Sequence, residues 1–178
     1  MKRPLILAAA LDYYKTRKKL WLKFLVPVIL TIATGFCLGN IDFKESVNLG
    51  EVFRDFVNVQ ISAIAILISF SIAIITILVS ADNPNIKKLK EKNSTECKPL
   101  NNKSLNLFQV LLSNITYNVL IEVVYLGFLV VCIFLQLYVG DELYKWLMAT
   151  CVFFIVHILH ILLESVGQMY LTFWKHEE

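Results

Sequence analysis

Charge is scarce in this chain. Only 17% of its 178 residues are Asp, Glu, Lys or Arg, against 57% that are hydrophobic, whereas a soluble domain carries about a quarter charged residues. That deficit excludes an ordinary water-soluble domain. Helix breakers are few as well, with 6 Gly and 4 Pro, so the apolar runs are free to form long helices. The 4 cysteines, Cys37, Cys97, Cys132 and Cys151, show no C-x-x-C pattern and no His/Cys spacing suited to zinc. They read as small packing residues and one reduced thiol. No nucleophile–base pair, Gly-rich phosphate loop, H-E-x-x-H motif or pair of intramembrane aspartates is present. The expectation is therefore a non-enzyme with no cofactor and no metal. Leu5–Leu11 is short, is cut by Asp12 and lacks a small-residue cleavage site, so it does not read as a cleavable signal.

What the chain has in quantity is apolar length. Four runs, Leu20–Leu38, Val57–Ser80, Ile115–Tyr138 and Tyr144–Gln168, each supply the ~20 residues that a helix needs to cross hydrocarbon. The expected fold is an all-α membrane protein of four transmembrane helices, a single membrane domain over 1–178. The spans are 20–38, 57–80, 115–138 and 144–168, with an amphipathic helix at 4–19 and a basic linker at 81–114. Pro4 suits a first helical position, and no breaker follows before Leu22. Asp82-Asn83-Pro84-Asn85 can cap a short basic helix, Ile86–Lys92, and Ser94–Ser104 reads as a polar, mobile stretch. Phe53 and Phe56 stand ready to anchor the second span, Gly140-Asp141 makes a tight turn, and the Trp174 ring fits the headgroup level.

The basic residues are unevenly placed. Lys2, Arg3, Lys15, Arg17, Lys18, Lys19 and Lys23 precede or open the first span, while Lys87, Lys88, Lys90, Lys92, Lys98 and Lys103 fill the middle linker. The other two linkers hold Lys44, Arg54 and Lys145 beside several acids. The positive-inside bias then predicts both termini and the middle linker in the cytoplasm. The basic face serves insertion alone, or it also receives anionic headgroups or an anionic ligand such as a nucleotide.

Polar residues inside the spans fall into two groups. Ser62, Ala65, Ser69, Ala73, Thr76 and Ser80 follow one helical face of the second span. That seam either packs against another helix or, in an oligomer, lines a narrow ion path with Ser62, Ser69, Thr76 and Ser80. Asn114, Asn118 and Glu122 recur at four-residue spacing in the third span, and His157, His160 and Glu164 share a face of the fourth. An ionised group at the bilayer centre costs ~3 kcal/mol or more, so these should pair across helices, for instance His160 with Glu122. A proton-sensitive gate or polar vestibule is the sharper alternative.

The layout of a leading helix (Pro4–Lys19), four spans and the basic Lys87–Lys103 linker resembles the toxic membrane effectors of bacterial antiphage systems, and among them the effector of Hailong defence systems. The resemblance implies a tetrameric ion channel that depolarises the inner membrane. It also implies restraint by short DNA oligomers made by a partner nucleotidyltransferase, with Lys15, Arg17, Lys18 and Lys19 as phosphate contacts. Lys87 and Lys88 of the basic linker join that ligand-binding set. Effectors of cyclic-nucleotide defence systems share the layout and would change only the ligand. The competing reading is a membrane-anchored interaction protein, a superinfection-exclusion factor or sensor subunit, without conductance. A proton-coupled transporter using Glu122, His160 and Glu164 is the third, although no inverted repeat is evident.

Overall fold

The protein was analysed as a computed structural model that describes residues 5–41, 48–80, 84–94, 97–99, 103–138 and 140–174. Six helices follow in order: α1 (Leu5–Thr16), α2 (Leu20–Asn40), α3 (Leu49–Ser80), α4 (Pro84–Glu91), α5 (Leu107–Leu135) and α6 (Asp141–Trp174). Among the described residues there is no β-strand; isolated bridges join Arg17 to Cys97 and Asn93 to Asn106. The 4 helices α2, α3, α5 and α6 are long and apolar enough to cross a membrane. Ile32, Val59, Ile66, Ile77, Phe134 and Leu163 all point outwards on them, a surface that suits hydrocarbon rather than water. Four such helices are compatible with a multi-pass membrane protein.

The helices outrun the apolar windows that announced them, and capping residues explain why. α3 begins at Leu49 rather than Val57 because Asn48 caps it, its Oδ1 accepting from the amides of Gly50 (3.1 Å) and Glu51 (3.4 Å). α5 begins at Leu107 rather than Ile115. Asn106 and Gln109 form a reciprocal cap there, Gln109 N donating to Asn106 Oδ1 (2.8 Å) and Asn106 N to Gln109 Oε1 (3.1 Å). The half-buried lead-in Leu105–Leu112 is thus mostly the first turns of the helix itself. α6 likewise starts at Asp141. In the opposite sense, the leading helix is shorter than 4–19: it stops at Thr16, whose carbonyl accepts from Lys98 N (2.7 Å), and Arg17 bridges to Cys97. α4 starts at Pro84, and the cap expected from Asp82 and Asn83 lies outside the described residues.

By its contacts the chain gathers into two compact units. The first takes Met1–Trp21, Phe70–Leu120 and Leu159–Glu178; the second takes Leu22–Ser69 and Ile121–Ile158. In the first, Leu78, Leu111 and Ile115 form a buried cluster, packed by Ile74, Ile75, Phe108 and Met169. In the second, aromatic rings do most of the filling: Phe53 stacks on Tyr144 at 4.9 Å, and Tyr125 on Phe154 at 5.0 Å. Gln136 Nε2 reaches Gly50 O (3.0 Å) and Tyr144 Oη reaches Gln136 O (3.0 Å), closing that unit at the start of α3 and α6.

Candidate functional site

In the first unit, a run of hydrogen bonds links a buried cation to a carboxylate. Arg17 is only 6% exposed. Its guanidinium donates to Asn114 Oδ1, to Val110 O (3.2 Å) and to Cys97 Sγ (2.9 Å). Asn114 Nδ2 donates onward to Gln168 Oε1 (3.1 Å), and Gln168 Nε2 to Glu164 Oε1 (3.2 Å). Each amide accepts on the cation's side and donates on the anion's side. The two amide dipoles therefore align between Arg17 and Glu164 and stabilise both charges without direct contact.

Three tyrosines hold the same place. Tyr13 stacks flat on Tyr117 at 3.9 Å, Tyr14 Oη bonds Tyr117 Oη at 2.8 Å, and the Arg17 Cζ lies 5.0 Å from the Tyr13 ring centre. A desolvated cation over a ring is worth up to ~2 kcal/mol. Burial, and then the charge of Glu164, pushes the Tyr13 hydroxyl well above its ordinary range. The arrangement pins α1 and the residues around Cys97 to α5 and α6.

This placement changes one expectation. Arg17 was grouped with Lys15, Lys18 and Lys19 as a phosphate contact, yet its guanidinium is spent inside the unit. Lys15, Lys18, Lys19, Lys87 and Lys88 are exposed. Cys97, expected in a mobile stretch, is buried beside Arg17. The backbone around it is tied down by Ser94 N to Leu105 O (2.8 Å) and Leu107 N to Lys92 O (2.9 Å).

The other polar span residues divide between the units. Asn114 and Asn118 are buried in the first unit, where His160 and Glu164 are half-buried; Glu122 and His157 are buried in the second. The anticipated pair, His160 and Glu122, thus falls in different units. His157 stacks its ring on Phe24 at 4.6 Å and lies 5.9 Å from Phe153. Of the six residues of the anticipated gate, Asn114 and Glu164 are joined through Gln168.

The small-residue face of α3 is turned outwards. Ser62, Ala65, Ser69, Ala73, Thr76 and Ser80 are all exposed, whereas Phe53, Val57, Ile64, Ser71 and Leu78 form the buried face. Among the described residues, nothing packs over the seam. Each hydroxyl donates back to its own helix: Ser62 to Asn58 O (3.1 Å), Ser69 to Ala65 O (2.9 Å), Thr76 to Ile72 O (2.9 Å) and Ser80 to Thr76 O (2.6 Å). With the protons so placed, the oxygen lone pairs remain as acceptors on that face.

Sequence reasoning missed Gln168, Tyr117 and Cys97 as parts of the buried cluster. Gln168 carried a usable signal, since it stands four residues after Glu164 on the same face. Cys97 carried none, because nothing in its polar surroundings announces a buried arginine. Comparison with protein-family models, with curated proteins and with solved structures returns no match for this chain.

Proposed function

We propose that this chain is the subunit of a homo-oligomeric pore, a tetramer on the resemblance above, that depolarises a bacterial inner membrane in antiphage defence. Its path runs along the small-residue face of α3, both termini are cytoplasmic, and an anionic nucleotide or DNA oligomer controls it from the basic side. One observation carries the reading: a stripe of Ser, Ala and Thr runs along α3 from Ser62 to Ser80 and is left exposed by the packing of the described residues. Lipid gains nothing from small residues, but another helix does, because they let backbones approach closely. Rings of hydroxyl oxygens with lone pairs outward would form a weakly polar path that favours cations.

The charge pattern supports the same reading. Exposed Lys15, Lys18, Lys19, Lys87, Lys88, Lys90 and Lys103 all belong to the first unit, while Lys23, Arg54 and Lys145 belong to the second. A segregation of this kind is what the positive-inside rule expects of a cytoplasmic face.

The test is membrane potential, followed by voltage-sensitive dye in a bacterium within minutes of inducing the chain. Rapid depolarisation is expected, lost in Thr76→Trp and Ser69→Trp variants that still insert. If those variants depolarise cells as the parent does, α3 does not line the path. If the parent conducts nothing at confirmed membrane expression, the interaction-protein reading takes the lead.

A further inference from the structure

A second feature of the first unit points to a ligand. Where the middle linker returns to the start of α5, a cleft of about 440 Å³ is lined by Lys90, Asn93, Lys103, Ser104, Asn106 and Gln109 with Leu105. That volume is within the roughly 300–1,000 Å³ of small-molecule sites. We infer that this cleft binds the phosphate of a phosphate ester, with Lys90 and Lys103 supplying charge and the amides of Asn106 and Gln109 supplying directed donors.

The argument begins with the cap of α5. Asn106 and Gln109 each spend their carbonyl oxygen on a backbone amide of the other. Their orientation is thereby set, and each presents an NH₂ group, which can only donate. Asn93 is held beside Asn106 by a backbone bridge. Lys90 stands with its ammonium 5.0 Å from the Phe108 ring centre, a contact that orients the charge without neutralising it. Among the described residues, no carboxylate lines the cleft. Two ammonium groups, a hydroxyl and donor-facing amides, with no anion among them, are complementary to phosphate oxygens. The helix end itself adds little, because Leu107 N and Gln109 N are already bonded to Lys92 O and Asn106 Oδ1.

An adjoining cleft of about 270 Å³ shares Leu105 and Gln109 and is lined by Asp12, Thr16, Ser113 and Thr116. Asp12 there repels a second phosphate, and the hydroxyls suit an uncharged, hydroxyl-bearing group. The ligand class is therefore one phosphate joined to an uncharged moiety, whether a lipid headgroup or a soluble nucleotide.

The inference deepens the proposed control by an anion, naming where its phosphate sits, but it is read by binding and the pore by membrane potential, so either can fail alone. The full chain is purified into neutral phosphatidylcholine nanodiscs and titrated with adenosine 5′-monophosphate. In parallel, nanodiscs containing phosphatidylglycerol are assayed for retained lipid by native mass spectrometry. At least one probe should bind, weakened about tenfold by Lys90→Gln or Lys103→Gln, the loss of one charge-assisted bond. Asn106→Asp keeps the capping oxygen of α5 but replaces the donor with a second anionic oxygen, and should weaken binding at least as much with the helix intact. Lys98→Gln and Arg54→Gln remove equal charge from exposed positions outside the cleft, and should change binding less than about twofold. Binding of the nucleotide alone assigns a soluble ligand; retention of the lipid alone assigns a headgroup; either supports the cleft. If neither probe binds, or if the two control variants weaken binding as much as the cleft variants, the inference is overturned.

Discussion

The two units are held by different physics. In the first, the largest commitment is directional: a buried guanidinium with three acceptors, two aligned amides and a carboxylate. In the second, it is shape: Phe24 against His157 and Phe153, Tyr125 against Phe154, Phe53 against Tyr144. Directed bonds in a low-dielectric interior specify one arrangement, because a shift of an ångström leaves a buried group unsatisfied. Stacked rings tolerate small slides and mainly resist loss of volume. The unit that carries the exposed lysines is thus the one with the more exacting interior.

That contrast can be broken from either side. Tyr125→Ala, which empties a fully buried ring site in the second unit, should cost roughly 3–5 kcal/mol. Tyr125→Phe keeps the shape and should cost less than about 1.5 kcal/mol. Both are measured by thermal unfolding in detergent. The converse holds at Arg17. Arg17→Met keeps a stem of similar shape but strands the buried Asn114 Oδ1 and breaks the run of bonds to Glu164, and should cost about 3 kcal/mol. If Arg17→Met proves as mild as Tyr125→Phe, the directional account of the first unit is wrong.

The smallest effect concerns pH. Burial and the charge of Glu164 raise the Tyr13 hydroxyl above its ordinary 10.0, so the folded unit favours the protonated form. Its contribution to stability is complete below pH 10 and is lost as pH climbs beyond that value. Tyr13→Phe keeps the ring stacked on Tyr117, costs about 1 kcal/mol or less at neutral pH, and should lessen the alkaline fall in stability. An unchanged alkaline profile would show that Tyr13 stays un-ionised for another reason.

Much of the fold was legible in apolar length alone, whereas the helix ends were not. Val57 and Ile115 looked like starts because the windows before them contain Glu51, Arg54 and Asp55, or Ser113 and Asn114. In the structure, Asn48 and the Asn106/Gln109 pair cap earlier turns, so those polar residues ride on the helix. The site was less legible. The period of the α3 seam was readable, but not whether it faced inwards, since small residues suit an internal contact and an external one equally well. Asn114 and Glu164 were marked as interior polar groups on desolvation cost, whereas the partner that joins them, Gln168, sat at the edge of its window.

The sequence by itself determined how many helices are long and apolar enough to span a membrane, where the lysines and arginines gather, and which polar residues sit within the spans. These follow from composition and from the 3.6-residue period, which are properties of single helices. Only the tertiary structure decided that Arg17 is an interior residue while Lys15, Lys18 and Lys19 remain outside, and that the hydroxyl face of α3 is left uncovered. Those outcomes depend on which acceptors and which surfaces other helices bring near, and local sequence contains no record of that.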